Sequence, residues 1–320
     1  MLLLDRVLIK LALGNDGGGD GGRSVFDLKS AGVASTALEE LLIVSQPEEN
    51  LFSINGRNVE QELDLFGKLR TNVFTIDRTD NREIIGSGLY LTSSLLNHDC
   101  NSNCQYRFNG LSMEVYANRE IVSGEELTIA YTSCMELSSV RKKKLRDGWN
   151  FECACHECTH PTERDSLMLK KRDGTSQMSD VEVSVARGFT RYLESLFIQK
   201  NQYALVLHLV HEFLDHSDLG EYNIFYYLIL QKLLLTCEKL LLVDEYLTTI
   251  KKLVKILQQY TNGYQPMLSQ LYYKVAFFPP RVSRRSLEIA VKHMRVTNGL
   301  HCPRYRQCKT LLRLMTPYDI

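Results

Sequence analysis

The sequence predicts an α+β protein: a helical front segment, a middle of short strands and tight turns, and a long C-terminal run of helices. Three observations carry that reading. Between residues 72 and 131 lie short β-rich runs, one pair alternating around Asn109-Gly110, broken by turn dipeptides that include Ser123-Gly124. Beyond Pro161 the apolar residues recur at helical spacing in one stretch after another. Between these regions, Cys153, Cys155 and Cys158 place three thiols within six residues.

The front segment opens at residues 2–13, where apolar residues at helical spacing are interrupted by Asp5, Arg6 and Lys10, as in an amphipathic helix that starts with no leader. Residues 14–22 are Gly and Asp without an apolar anchor and read as a loop. They lack the preceding strand and following helix that a phosphate-binding loop needs. Residues 33–44 and 59–69 read as further helices, so residues 1–70 form a small helical unit.

From Asn72 the pattern changes. Residues 73–76 form a short β-rich run, and Gly86-Ser87-Gly88-Leu89-Tyr90 reads as a turn. Tyr106-Arg107-Phe108 and Met113-Glu114-Val115-Tyr116 flank Asn109-Gly110 as a hairpin, and residues 127–130 form another strand. Residues 71–160 are therefore the β-containing core. After a polar link over residues 164–179, helices are predicted over 181–197, 203–214, 222–241, 243–260, 267–277, 286–296 and 304–315. Serial helices of this length, separated by breaks such as Gly220, Asn262-Gly263 and Pro279-Pro280, build a superhelical array over residues 161–320.

Composition narrows the function. Acidic and basic residues number 38 each, so there is no global field to attract nucleic acid or an anionic membrane. The basic run 141–144 with Arg146 reads as a solvated helix face, as does the group Arg281, Arg284 and Arg285. His208 and His211, one helical turn apart with no third partner, read as structural. Apolar runs such as residues 224–243 contain Gln231, Lys232, Glu238 and Lys239, and none reads as a membrane span. Nine cysteines without a signal peptide point to a reducing compartment, where clustered thiols bind metal more often than they form disulfides. Zinc takes four soft ligands in a tetrahedron. The trio supplies three, and Cys100, Cys104, Cys134, His156 and His160 are candidates for the fourth.

The order and spacing of three motifs adds a resemblance. Asn97-His98-x-Cys100, Gly124-Glu125-Glu126-Leu127-Thr128-Ile129-x-Tyr131 and Phe151-x-Cys153-x-Cys155-x-x-Cys158 resemble the SET domain of the SET-and-MYND (SMYD) protein-lysine methyltransferases. Phe66-Gly67-Lys68 and Asn72-Val73-Phe74-Thr75-Ile76 resemble family segments upstream, and the helical remainder resembles the family's tetratricopeptide-like C-terminal domain. The resemblance implies SET-type small β-sheets with a post-SET zinc site, residues 1–70 being a helical insertion. It makes Cys100, Cys153, Cys155 and Cys158 the zinc ligands, a closed and therefore structural site. It makes Tyr131 the catalytic hydroxyl of an S-adenosylmethionine-dependent lysine methyltransferase. Asn72, Asn97, His98 (through its backbone) and Phe151 would hold the cofactor, and Trp149 would line the substrate channel. It further implies a protein lysine as substrate, chaperone or other protein partners on the helical array, and residence in cytoplasm and nucleus.

The chain also departs from the family pattern. Neither the zinc-knuckle MYND module nor the Gly-rich first strand of the SET fold is found in it. Trp149 stands where the family usually has a tyrosine, and Ser102 where it has a proline. In Phe26-Asp27-Leu28-Lys29-Ser30-Ala31, Lys29 and Ala31 stand for the family's acidic and amide cofactor contacts. A non-catalytic, zinc-stabilised scaffold acting through its helices is the alternative to the enzyme. A zinc hydrolase is disfavoured, because four thiolates leave no position for water.

Overall fold

The structure, a computed structural model, describes residues 59–77, 84–200, 202–277 and 284–315. The helices expected over 2–13 and 33–44, the loop over 14–22 and the segment 26–31 lie outside the described residues.

Helix α1 (Val59–Asn72) leads directly into strand β1 (Val73–Asp77), which pairs antiparallel with β2 (Ile84–Leu89). The stretch 86–90 is thus mostly strand, not the turn its glycines suggest. At Gly88 a Cβ would fall 2.9 Å from the Tyr90 ring and 3.0 Å from Ile76, so the glycine serves close packing here, not chain reversal. Strand β3 (Asn97–His98) runs parallel to β6 (Thr128–Ile129), a shorter strand than the four residues expected. Strands β4 (Cys104–Asn109) and β5 (Ser112–Ala117) form the expected hairpin around Asn109-Gly110. Aromatic contacts tie the small sheets together: the Phe74 ring lies 5.3 Å from Tyr106 and 6.1 Å from Tyr90, which in turn lies 5.6 Å from Phe108.

Helix α2 (Ser138–Trp149) has no cap of its own, and Leu137 precedes it. Asp165 supplies one from another helix, accepting the Ser138 amide at 3.0 and 3.1 Å. Asn150 ends α2 in the left-handed region at φ 55°, which turns the chain into Phe151 and the cysteine trio. Short α3 (His156–Thr159) and α4 (Pro161–Met168) follow. The first part of the expected polar link is therefore helical: Pro161 starts α4 where its missing N–H costs nothing.

The array comprises α5 (Asp180–Lys200), α6 (Tyr203–His216), α7 (Ile224–Leu240), α8 (Val243–Tyr260), α9 (Pro266–Phe277), α10 (Arg284–Thr297) and α11 (Pro303–Leu314). Each lies within a few residues of its sequence-based expectation. Helix α8 shows why: Tyr246, Ile250, Leu253, Ile256, Leu257 and Tyr260 recur every three or four residues and are all buried. Burying a Leu or Ile side chain stabilises by about 1.5–3 kcal/mol, enough to fix each helix against its neighbours. Most of the apolar core sits here, across α5 to α9, with a second cluster around Leu287, Met294 and Cys308. No helix among the described residues is long and apolar enough to cross a membrane.

The array docks on the β-rich unit through named contacts. The Tyr264 amide donates to the Asn118 carbonyl at 2.9 Å, and Arg107 donates to the Val296 carbonyl. Arg164 donates to the carbonyls of Cys134 (2.7 Å) and Tyr260 (3.0 Å) while pairing with Glu157 at 3.2 Å.

Candidate functional site

The site is built on the parallel pair β3–β6. Asn97 lies beside Thr128 and His98 beside Ile129, which brings residues thirty apart in sequence to one edge. A polar hub fixes the approach: buried Asn103 donates to Glu125 Oε1 (2.9 Å) and the Glu126 carbonyl (2.8 Å) and accepts the Thr128 amide (3.0 Å). Glu125 also takes Arg119 at 2.5 Å and the Val122 amide at 3.1 Å. These donors hold its carboxyl at about 2, below the ordinary carboxylate range, with the Arg119 hydrogen bond the largest cause.

Cys100 follows two residues after His98. Its Sγ lies 3.6 Å from Cys158 Sγ, and the sulfurs of Cys100, Cys153, Cys155 and Cys158 all lie within 4.8 Å of one another. The sulfurs of a zinc tetrathiolate, with bonds of roughly 2.3 Å, stand roughly 3.8 Å apart. The four residues therefore form a cysteine cluster that can bind zinc, three of them buried and Cys155 half-buried. Cys104, Cys134, His156 and His160, the other candidates for a fourth ligand, are not part of it. Packed together, the thiols cannot all ionise unaided. Hydrogen bonds from Cys100 and Cys153 hold Cys155 down to about 4. Cys100 is pushed up, first by its bond to Cys155 and then by burial, and burial pushes Cys153 to about 12.

Against this cluster pack Tyr131, Trp149 and Phe151. The Tyr131 ring lies 5.3 Å from Trp149, 6.4 Å from Phe151 at 90°, and 5.2 Å from His98. Its hydroxyl, kept protonated by burial, donates to the Leu96 carbonyl at 2.5 Å. Trp149 Nε1 donates to the Thr71 carbonyl at 3.1 Å, which brings the end of α1 to the same place. There Asn72 is buried, its amide turned back onto the Lys68 carbonyl at 2.7 Å. Asn97 is exposed and donates to Glu126 Oε1 at 2.5 Å. The structure thus brings Tyr131, Trp149, Phe151, His98 and the four cysteines into contact. Asn72 is linked through Thr71, and the Asn97 side chain turns outward.

Three features escaped the sequence reading. The His98 side chain, not only its backbone, is engaged: Nδ1 accepts the Tyr131 amide at 2.9 Å and Nε2 faces Cys100 Sγ at 3.3 Å. Asn103 organises the Glu-Glu turn. Arg141, expected on a solvated face, is fully buried, because α2 lies with that side on the cysteine cluster. Its neighbours Lys143 and Lys144 fit the expectation, pairing at the surface with Asp147 and Glu136. His208 and His211 likewise form exposed pairs with Glu212 and Glu245.

Beside the cysteine cluster a cleft of about 500 Å³ opens between the β-rich unit and the array. Thr75, Tyr106, Met135, Tyr260 and Met267 line it, and it reaches Ala130, the residue before Tyr131.

Comparison with known proteins agrees with this geometry. Residues 27–132 match the SET domain family. Among curated relatives, Histone-lysine N-methyltransferase SMYD3 of Mus musculus is 45% identical over 104 residues, covering 32% of this chain and 24% of that protein. The Homo sapiens SMYD3 is 44% identical over the same shares. N-lysine methyltransferase SMYD2 of Homo sapiens is 35% identical over 133 residues, covering 41% of this chain and 29% of that protein. The chain thus spans only about a quarter of the length of the curated relatives it matches.

Proposed function

We propose that this chain, which carries a SET domain of the SMYD type, is a protein-lysine N-methyltransferase whose active site is assembled on a structural zinc centre. The observation that carries the reading is the contact of Tyr131, Trp149 and Phe151 with the four-cysteine cluster, at the end of the parallel pair that presents Asn97 and His98. Cys100, Cys153, Cys155 and Cys158 would hold the zinc, which joins β3 to the segment after α2. With four thiolates the ion is a staple and not a reaction centre.

S-adenosylmethionine supplies the methyl group when bound. On this side of the pocket Phe151 offers an aromatic face for the adenine and the Asn97–His98 backbone offers polar groups. Asn72 forms part of the wall, its amide being committed to α1. The 500 Å³ cleft suits an extended peptide, with the target lysine entering past Ala130 towards Tyr131. Burial there favours the neutral amine, the form with a lone pair to attack. Tyr131, a protonated phenol, orients it, and Trp149 narrows the space beside it without offering a hydroxyl. Holding two reactants in line contributes about 7–11 kcal/mol in favourable cases, so the protein's main task is alignment. Histone and non-histone lysines are both candidate substrates. The array would take chaperone or other protein partners, and free cysteines suit the cytoplasm and nucleus.

A non-catalytic scaffold is the second reading. It is favoured by the engagement of the Tyr131 hydroxyl with Leu96 and by Trp149 lying against the same ring. Titration calorimetry with S-adenosylmethionine, followed by radiolabelled methyl transfer to histones and lysine peptides, separates the two. Saturable binding with label on lysine supports the enzyme. No heat and no label at high cofactor concentration supports the scaffold.

A further inference from the structure

Arg141 is among the largest fully buried side chains of the described residues. A guanidinium stays charged wherever it is placed, so burying one without an anion costs several kcal/mol. The carboxylates close to it in sequence and space are spoken for: Glu136 pairs with Lys144 and Glu157 with Arg164. What faces the guanidinium is sulfur. Nε donates to Cys100 Sγ at 3.3 Å, and Nη2 lies 4.0 Å from Cys158 Sγ. The remaining donors go to backbone carbonyls, Nη1 to Glu136 and Nη2 to Glu157 at 3.4 Å.

Four thiolates on one divalent ion leave a charge of about −2 on the centre, sealed from water on the side of α2. We propose that Arg141 is the counter-charge of this tetrathiolate and the brace that ties its occupancy to α2. This inference rests on reading the four cysteines as a zinc centre. The arrangement is specific in two respects. The guanidinium addresses Cys100 and Cys158, one ligand from each of the segments the metal joins, so it reinforces the same junction. Its plane is also held by the Glu136 and Glu157 carbonyls, which flank α2 on either side. Loss of metal would therefore leave a buried cation facing a cluster with less negative charge to offset it. That instability would pass along α2 to Trp149 and so to Tyr131. Arg141 is a positioning residue: it touches the ligands and not the reacting atoms.

Outer-shell partners of metal sites alter affinity by about 10- to 100-fold. The test compares full-length wild type with R141M, which removes the charge, R141K, which keeps charge but loses the fork, and L145A. Leu145 is fully buried on the same helix and packs on the same cluster, so its truncation costs stability without touching the charge. Zinc affinity is read by competition with a chromophoric chelator, and thiolate bonding by the absorption bands of the cobalt-substituted protein. We expect R141M to bind zinc about 10- to 100-fold more weakly with altered cobalt bands, R141K to fall between, and L145A to keep wild-type affinity at lower thermal stability. Wild-type affinity and spectra in R141M and R141K overturn the proposal, as does equal weakening in L145A. Should R141M not fold, R141K against L145A decides the matter by the same readouts. A wild-type chain that binds neither zinc nor cobalt overturns the zinc reading itself, an outcome distinct from metal binding that ignores position 141.

Discussion

His98 Nε2 lies 3.3 Å from Cys100 Sγ, and the other ring nitrogen of His98 accepts the Tyr131 amide at 2.9 Å. An amide can only donate, so Nδ1 carries the lone pair and the proton sits on Nε2, aimed at the sulfur. One neutral imidazole therefore links a candidate metal ligand to the backbone of the candidate catalytic residue. Replacing His98 with alanine breaks both bonds and leaves the Tyr131 amide without its acceptor, at a cost of about 1–3 kcal/mol. The expected result is a lower unfolding temperature together with faster zinc loss to a chelator. A variant unchanged in both would show that the ring merely fills space.

Zinc binding should release protons, and the packing of the thiols says which. Cys100 and Cys153 are pushed up and carry protons at neutral pH, while Cys155, held to about 4, carries none. Metal must displace the first two, so apparent zinc affinity falls as pH falls. Because Cys155 is already ionised, fewer than four protons should leave per zinc. Calorimetry in buffers of different ionisation enthalpy counts them. A count of four would mean that all four thiols keep their protons until the metal arrives.

How much of this was legible beforehand depended on the distance over which each cause acts. The helices of the array follow from local periodicity, and α8 ends where its apolar repeat ends. The hairpin at Asn109-Gly110 follows from a dipeptide. The four cysteines were found through motif order, although spacing alone left five candidates for the last ligand. Arg141 was misread because its surroundings in sequence are lysines and an arginine, whereas its surroundings in space are sulfurs supplied from positions 100 and 158. Gly88 reads as a turn residue because the sequence shows a flexible residue and not the Tyr90 ring that needs the room. A local pattern reveals an element but not the partner that closes on it.

Glu125 sets an acid limit on the fold. Its carboxyl is held at about 2 by Arg119, Asn103 and the Val122 amide. The folded value lies below the unfolded one, so the stabilisation is present above the ordinary carboxylate range near 4.3 and is lost as pH falls from there through about 2. Urea unfolding between pH 6 and pH 2 should show a steeper acid loss in wild type than in E125Q, which has no proton to gain. Parallel curves would show that other carboxylates dominate.

Tyr131 and Trp149 can be separated by their hydroxyl and indole nitrogen. Y131F removes the bond to the Leu96 carbonyl and should cost about 1 kcal/mol of stability. If the hydroxyl orients the target amine, methyl transfer falls about 100-fold or more, with cofactor affinity little changed. W149F loses the bond to the Thr71 carbonyl and so loosens α1 from the cluster. It should weaken cofactor binding at least as much as turnover. Equal small effects of both variants on both quantities would remove the distinction drawn between them.

The width of the cleft should depend on Gly263. This residue sits at φ +67° in the turn between α8 and α9, and an added Cβ would fall 2.0 Å from the Asn118 carbonyl oxygen. That oxygen is the acceptor for the Tyr264 amide, so the collision strikes one of the bonds that dock the array on the β-rich unit. An alanine must either leave the left-handed region or push the turn away; such strain costs about 1–3 kcal/mol. The neighbouring contacts, Asn262 donating to Asn101 at 3.3 Å and Gln105 donating to Gln265, lie on the rim of the same cleft and would open with it. The four-cysteine cluster, built from residues 100, 153, 155 and 158, is not touched by this movement. G263A should therefore keep its zinc affinity while losing thermal stability and binding lysine peptides more weakly. Faster amide exchange over residues 261–267 and 101–118 would mark the loosened seam. Unchanged exchange there, with peptide binding intact, would mean that the two units do not need this contact to stay closed.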